Sequence, residues 1–276
     1  MITLKNENFS VLLSIYHKES PNNFSQAMRS IYDLQELKPD DIVLVKDGPL
    51  TPELDTEILY WSNKLGNVLT IVPLHENVGL AAALNFGLQY CKWDLVARMD
   101  TDDISTPDRF KLQVGFMSER ADISVSSGYI EEWDINLSEQ VSHRALPICH
   151  DEIVKFARLR SPISHPACIF RKSIILSVGG YPSLYPEDHL LWVKVIQSGN
   201  KLANIPQVIL KMRTGEDFIT RRGYKFLKGE LSSYVAMYKC GFLNFWQFSK
   251  VSIIRTFVRL APNFIKIGLY KWFRRV

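Results

Sequence analysis

What this chain of 276 residues lacks narrows it quickly. Its four cysteines, Cys91, Cys149, Cys168 and Cys240, stand far apart and form no CxxC pair. That spacing disfavours a zinc knuckle and a disulfide framework and fits a reduced, cytosolic protein. No uncharged apolar run approaches the roughly 20 residues needed to cross a bilayer. The first apolar stretch, "FSVLLSIY", is short, follows Lys5 and Glu7, and reads as a strand rather than a leader. Neither GxGxxG nor the P-loop pattern follows any strand-like run, which disfavours a Rossmann dehydrogenase or a P-loop NTPase. Repeats, low-complexity tracts and obvious linkers are missing too. Acidic residues are absent from 231–276, a stretch that holds Lys239, Lys250, Arg255, Arg259, Lys266, Lys271, Arg274 and Arg275. The net charge of +4 therefore divides into a mildly acidic body and a strongly basic tail.

The first hundred residues alternate between two periods. "FSVLLSI", "DIVLVKD", "NVLTIVPL" and "DLVARMD" are β-branched runs of strand length. Helix-like stretches lie between them at Asn23 to Glu36, Pro52 to Leu65 and Val78 to Tyr90, and Thr51–Pro52 reads as a cap followed by a first-turn proline. This alternation predicts an α/β protein whose parallel sheet is covered on both faces, with ligands beyond the carboxyl ends of the strands. Each strand runs out into polar residues: Tyr16 to Glu19, Asp47, His75 to Asn77, and Asp100 to Asp103. Further on, "TPDRFKLQVGFM" predicts a helix capped by Thr106, "DISVSSGYIEEWD" a strand, "HDEIVKFARL" a helix and "PACIFRK" a buried strand. "PEDHLLWVKVIQSG" predicts a helix closed by Gly199, "KLANIPQVILKMR" an extended run, and Phe218 onward helix.

Asp100 and Asp102 are two residues apart where a strand ends, so their side chains share one side. Two hard oxygen ligands with open positions suit Mg²⁺ or Mn²⁺ bound together with a phosphate group. Arg98 lies one step earlier on the same face and can meet an anionic ligand. The same residues also make a solvated acidic turn capping the next helix, for which Asp103 and Thr106 are suited. Aspartyl phosphatases of the haloacid-dehalogenase type use DxD as well, but on an early strand; here the motif follows three strand–helix units.

Seven pieces in order narrow these alternatives: "FSVLLSIYHKE", "IVLVKDG", "ENVGLAAALNFGL", "ARMDTDD" followed by "TPDRF", "SPISHPACIFRKS", "VGGYP" and "PEDHLLWVKVIQSG". Together, over Phe9 to about Arg222, they resemble family 2 glycosyltransferases, in particular the bacterial branch that builds O-antigen, capsule and exopolysaccharide. The resemblance implies a GT-A fold, a mixed central sheet flanked by helices that binds a nucleotide-diphospho-sugar over the strand ends. It implies that Ser14, Tyr16 and Glu19 line the nucleotide and that Asp47 contacts the base, a carboxylate facing a uracil imide N–H. Asn77 and Gly79 match the family's Asn-x-Gly, and Asn85 and Gly87 its second pair. Leu84 departs from the arginine that many members carry there, so Arg98 or later arginines would replace a diphosphate contact. Asp102 would ligate Mn²⁺ or Mg²⁺ most directly, with Asp100 reaching the ribose or the metal. In the acidic pair Glu187–Asp188, Asp188 would be the general base of an inverting transfer, with Glu187 and His165 on the acceptor side. Arg213, Arg221 and Arg222 fall where the family closes a loop over the diphosphate. Trp192 reads as core.

By the same resemblance the donor is a UDP-sugar of galactose or glucose type, and the acceptor is a polyprenyl-diphosphate-linked saccharide. The expected division is a transferase domain over 1–230 and a basic aromatic helical tail over 231–276, with helices at 243–261 and 263–275 separated by Pro262. Aromatic residues among lysines and arginines suit the surface of an anionic leaflet, and no RNA-binding motif accompanies them, so membrane rather than nucleic acid is the expected partner. These features predict a cytoplasmic protein held peripherally on the inner face of a bacterial inner membrane. A catalytically inactive sugar-binding or scaffold protein of the same fold is the competing class, which an intact DxD and acidic pair disfavour.

Overall fold

The computed structural model describes residues 7–215 and 224–261. The expected strands form in order: β1 (Phe9–Ile15), β2 (Asp41–Lys46), β3 (Leu69–Pro73) and β4 (Leu95–Arg98). β1 pairs in parallel with both β2 and β4, and β2 with β3, so all four carboxyl ends open on one edge. The sheet then turns mixed. β8 (Ile169–Arg171) runs antiparallel between β4 and β6 (Ile123–Trp133), and β9 (Lys201–Arg213) lies parallel to β6. Two short strands complete it: β5 (Ile104–Ser105) on β9 and β7 (Gln140–Arg144) on β6.

Strand alternation sends successive side chains to opposite faces, and each face acquires its own core. Phe9, Val11, Leu13 and Ile15 meet α1 (Pro21–Met28), α2 (Pro52–Leu65) and α4 (Arg109–Glu119). On the other face Leu12, Val43 and Val45 meet α3 (Leu80–Leu88), α6 (Lys172–Ser177) and α7 (Glu187–Gln197), where Trp192 is fully buried as expected. A third cluster joins α5 (His150–Ala157) and the outer side of α7 to α8 (Tyr224–Lys239) and α9 (Phe245–Leu260) through Ala157, Leu190, Val193, Tyr234, Met237 and Val251.

Three helix starts differ from expectation, each for a tertiary reason. The first helix is α-helical only over Pro21–Met28 and continues as a π-turn, Arg29–Asp33. There Ser30 Oγ donates to the Ala27 carbonyl and accepts from the Ser105 amide, tying the turn to β5. α3 begins at Leu80 rather than Val78, because Gly79 at φ +86° lies outside the helical region, and the Val78 and Gly79 amides donate to the Asp47 carboxylate. α4 begins at Arg109, not at Pro107, and Thr106 is not its cap. Pairing of β5 with β9 draws Thr106 into the sheet edge, where its amide donates to the Ile209 carbonyl. Phe218, Arg221, Arg222, Pro262 and the expected helix at 263–275 lie outside the described residues.

Candidate active site

The carboxyl ends of β1, β2 and β4 and the start of α7 border one cavity of about 1170 Å³. Ser14, Tyr16, Glu19, Asp47, Asn77, Gly79, Arg98, Asp100, Asp102, His165, Glu187 and Asp188 all line it. Residues separated by up to 174 positions in sequence, Ser14 and Asp188, thus share one space. Arg213 is the exception. It sits behind the acidic turn, donating from its guanidinium to the Asp102 carbonyl and, at 2.7 Å, to Gln26 Oε1. Its backbone amide donates to Asp103 Oδ1 at 2.9 Å. Arg213 therefore braces the turn rather than facing the cavity.

The side of the cavity at the end of β2 is organised by Asp47, which is only 3% exposed. Its Oδ1 accepts from the Val78 amide at 2.7 Å, and its Oδ2 accepts from the Gly79 amide at 3.1 Å and from Asn77 Nδ2 at 3.0 Å. Both oxygens brace the loop before α3, and Oδ1, with one donor, keeps acceptor capacity beside the cavity that Asp47 lines. Gly48 is needed beside it: φ is +87°, and a Cβ would lie 2.7 Å from the Asn77 amide nitrogen. Asn85 and Gly87 serve the fold. Asn85 donates to the Tyr181 carbonyl at 2.8 Å and accepts from the Tyr181 amide at 2.7 Å, while Gly87 packs against Leu12 and Val45.

At the end of β4, one ligand oxygen from each of Asp100, Asp102 and Asp103 can fall within 4.8 Å of the others. Burial, then the charges of Asp100 and Glu19, push the Asp102 carboxyl up to about 7. Asp103 is raised well above the carboxylate range by burial and by both neighbours, and its Oδ2 is buried without a partner among the described residues. Such a cluster gains from a cation that offsets its mutual repulsion, and an oxygen-only donor set suits Mg²⁺ or Mn²⁺. Arg98 ion-pairs with Asp100, yet its Nε and Nη1 are buried without partners among the described residues. Beneath the turn Arg109 is fully buried, donating to the Arg98 carbonyl at 2.6 Å and to Ser105 Oγ at 2.9 Å. Nothing in the residue pattern singled Arg109 out, because an arginine in "TPDRF" also reads as a solvated helix residue.

Across the cavity Asp188 Oδ2 accepts from Ser161 Oγ at 2.6 Å. Ser161 lies in "SPISHPA" and carried no signal of its own, since its partner is 27 residues away. Glu187, the neighbour of Asp188, is pushed up to about 7 by burial and then by Asp188. His165 approaches Glu187 at 3.6 Å through Nδ1 and the Tyr181 hydroxyl at 3.2 Å through Nε2. Burial, and secondarily the charge of Arg98, lowers His165 well below its ordinary value, so the ring is neutral.

A parallel-to-mixed sheet with an acidic triad at one strand end and an acidic pair on the opposing helix defines a GT-A glycosyltransferase site. The model of glycosyl transferase family 2 matches residues 10–179, more than half of the chain. The protein belongs to that family. It is 39% identical over 268 residues to the amylovoran biosynthesis glycosyltransferase AmsE of Erwinia amylovora, covering 95% of this chain and 98% of that one. It is 37% identical to the UDP-Gal:alpha-D-GlcNAc-diphosphoundecaprenol beta-1,3-galactosyltransferase of Escherichia coli, covering 95% of each. Its fold matches the S. aureus TarS 1–349 structure in complex with UDP-GlcNAc, with a TM-score of 0.66 at 18% identity, over 91% of this chain and 72% of that one. It also matches the mannosyltransferase PcManGT of Pyrobaculum calidifontis in complex with GDP-Man and Mn²⁺, with a TM-score of 0.64 at 15% identity, over 92% and 70%.

Proposed function

We propose that this glycosyltransferase moves a hexose, of galactose or glucose type, from a UDP-sugar to a polyprenyl-diphosphate-linked saccharide in bacterial surface-polysaccharide assembly, with inversion. The observation that carries the reading is the Asp188 carboxylate, held by Ser161 at 2.6 Å in the same cavity as Asp100 and Asp102. Pockets for one small ligand run about 300–1,000 Å³, so a cavity of about 1170 Å³ suits a donor and an acceptor together. The relative from E. coli, named for a galactosyl transfer to a lipid-diphosphate sugar, supports both substrate classes.

In this reading Ser14, Tyr16, Glu19 and the loop that Asp47 holds through Asn77 and Gly79 carry the nucleotide. A divalent ion on Asp100 and Asp102, beside Asp103, supplies positive charge against the diphosphate of the donor. Arg98 adds donors from below. His165 and Glu187 bound the acceptor sugar. Asp188 takes the proton of the acceptor hydroxyl, whose oxygen bonds to the anomeric carbon on the face opposite the nucleoside diphosphate. The bond from that carbon to the phosphate oxygen breaks, UDP departs with its electron pair, and an α-linked donor yields a β-linkage.

The reading extends to the membrane. Trp246, Lys250, Ile253, Phe257 and Leu260 follow one another at helical spacing along the outward face of α9, with Trp246 78% and Ile253 70% exposed. No helix of the described residues is long and apolar enough to cross a membrane, so this stripe would lie on a leaflet. The test is transfer by the full chain from radiolabelled UDP-galactose or UDP-glucose to a synthetic lipid-diphosphate N-acetylhexosamine, with the product's anomeric configuration read by NMR. A β-linked product that disappears in Asp188→Asn is expected; an α-linked product, or full activity in that variant, would overturn it.

A further inference from the structure

The cavity does not stop at the acidic pair. Beyond Asp188 it continues between the end of α5 and the inner faces of α8 and α9, where the wall changes character. Val251, Ile254 and Val258 make an apolar strip, and Arg160 and Arg255 stand beside it. Arg255 donates through Nε to the Tyr234 hydroxyl at 3.2 Å and through Nη2 to the Leu159 carbonyl at 2.6 Å. Its Nη1 has no protein partner among the described residues. Arg160 lies with its guanidinium 4.5 Å from the Phe156 ring centroid. The third arginine of this wall, Arg259, pairs with Glu230 at 2.7 and 2.9 Å.

Two cations beside an apolar strip, reached directly from the base, match one ligand chemistry: a diphosphate carrying a hydrocarbon chain. Leu159, whose carbonyl fixes Arg255, is two residues before Ser161, which fixes Asp188. The cations are therefore spaced from the base by little more than the segment that joins them. A sugar whose hydroxyl faces Asp188 turns its reducing end, and anything attached there, toward this wall. The opposite face of the same helix α9 carries the exposed stripe of Trp246, Ile253 and Phe257, so a chain leaving the strip would emerge where the helix meets a leaflet.

We propose that Arg160 and Arg255 form the binding subsite for the acceptor's lipid diphosphate, and that its first isoprenoid units run over Val251, Ile254 and Val258. This subsite rests on the reading that the acceptor is lipid-diphosphate-linked and gives that reading a place in the molecule. Arginine is suited to the task because its planar fork matches phosphate oxygens, and the Tyr234 and Leu159 contacts pre-orient Arg255.

Farnesyl diphosphate is the probe, titrated into the full chain already saturated with UDP and Mn²⁺ so that the donor site is closed to it. Inorganic pyrophosphate and farnesol serve as the two halves. The wild-type protein should bind farnesyl diphosphate more tightly than either half. Arg255→Gln and Arg160→Gln should each weaken it about ten- to hundredfold, the range expected for losing a hydrogen bond to a charged group. Arg255→Lys should lose less. Because Arg255 also holds Leu159, Ile254→Asp provides a variant at a 40% exposed position that sacrifices no hydrogen bond and brings a repelling charge; it should lose binding similarly. UDP affinity and thermal unfolding monitor the fold. Unchanged farnesyl diphosphate affinity in all these variants, no binding by the wild type, or pyrophosphate binding as tightly as farnesyl diphosphate would overturn the subsite. Failure of the acceptor reading looks different: no transfer to any lipid-linked saccharide by the wild-type protein.

Discussion

At the residue scale the site is an arrangement of carboxyls that burial would rather keep neutral. Glu187 is 8% exposed and pushed up to about 7, with burial the larger cause and Asp188 the next. A carboxyl whose folded value lies above its ordinary 4.5 keeps its proton longer in the native state. The contribution of Glu187 to stability is therefore greatest at low pH and falls as pH rises through the window from about 4.5 to about 7. Urea titrations at about pH 5 and about pH 8 should show the wild type losing on the order of 3 kcal/mol more than Glu187→Gln. An identical pH dependence in the two proteins would show that Glu187 is ionised throughout. Ser161 gives a separate prediction. Without its hydroxyl, Asp188 Oδ2 loses the donor at 2.6 Å that orients it. Ser161→Ala should lower turnover about tenfold with UDP affinity unchanged, measured by single-turnover transfer and calorimetry.

Elements position those residues through a few close approaches. Gly229 lies in α8 where a Cβ would overlap the Tyr185 carbonyl oxygen, two residues before Glu187. The absence of a side chain there lets α8 pack against the segment that leads into α7, and the Tyr185 and Phe226 rings meet edge to face beside it. Gly229→Ala should push α8 off that segment at a cost of about 1–3 kcal/mol, the usual range for overpacking. A lowered melting temperature with a raised acceptor KM is expected; a variant as stable as the wild type would mean that α8 moves without cost. The loop before α3 works by the same logic of satisfied backbone. Asp47 takes the Val78 and Gly79 amides, which would otherwise be unpaired donors at the start of a helix. On the far side, Arg109 and Arg213 hold the acidic turn by its carbonyls, leaving the carboxyls of Asp100 and Asp102 on the cavity.

At the scale of the whole molecule, the basic tail and the catalytic body are joined more closely than charge alone predicts. The expected boundary at 230 falls inside α8, and Glu230 at that boundary pairs with Arg259 of α9. Arg255 is likewise turned inward to Leu159 and Tyr234. Of the basic residues in the described part of the tail, Lys250 lies on the outward stripe with Trp246, Ile253, Phe257 and Leu260. Leaflet binding by this stripe should therefore depend on buried aromatic and aliphatic area, about 1.5–3 kcal/mol for each large side chain, as well as on charge at about 1 kcal/mol per cation. Flotation with anionic vesicles should recover the full chain, less so at high salt, and the double variant Trp246→Ala, Phe257→Ala should lose at least about tenfold in recovery-derived affinity. Equal recovery on neutral and anionic vesicles at every salt concentration, unaffected by the double variant, would leave α9 a purely packing helix.

Much of this was legible in the chain because it is local. Short β-branched apolar runs located β1 to β4, Thr51–Pro52 marked α2, and the polar ends of four strands pointed to one edge as the site. The DxD pair stood out by its spacing at a strand end and the Glu–Asp pair by family resemblance, and both line the cavity. What tertiary structure decided depends on partners far away in sequence. Thr106 looked like a cap until the edge of β9 claimed its backbone. Asp47 also holds the amides 31 and 32 residues later, a brace that its turn-like neighbours in the chain did not reveal. Arg213 looked like a phosphate ligand until the back of the acidic turn took its guanidinium, and Ser161 showed no role until α7 brought Asp188 to it. A sequence records which groups can donate and accept and at what period they fall; which buried group meets which is settled only when packing forces every polar atom to find a partner.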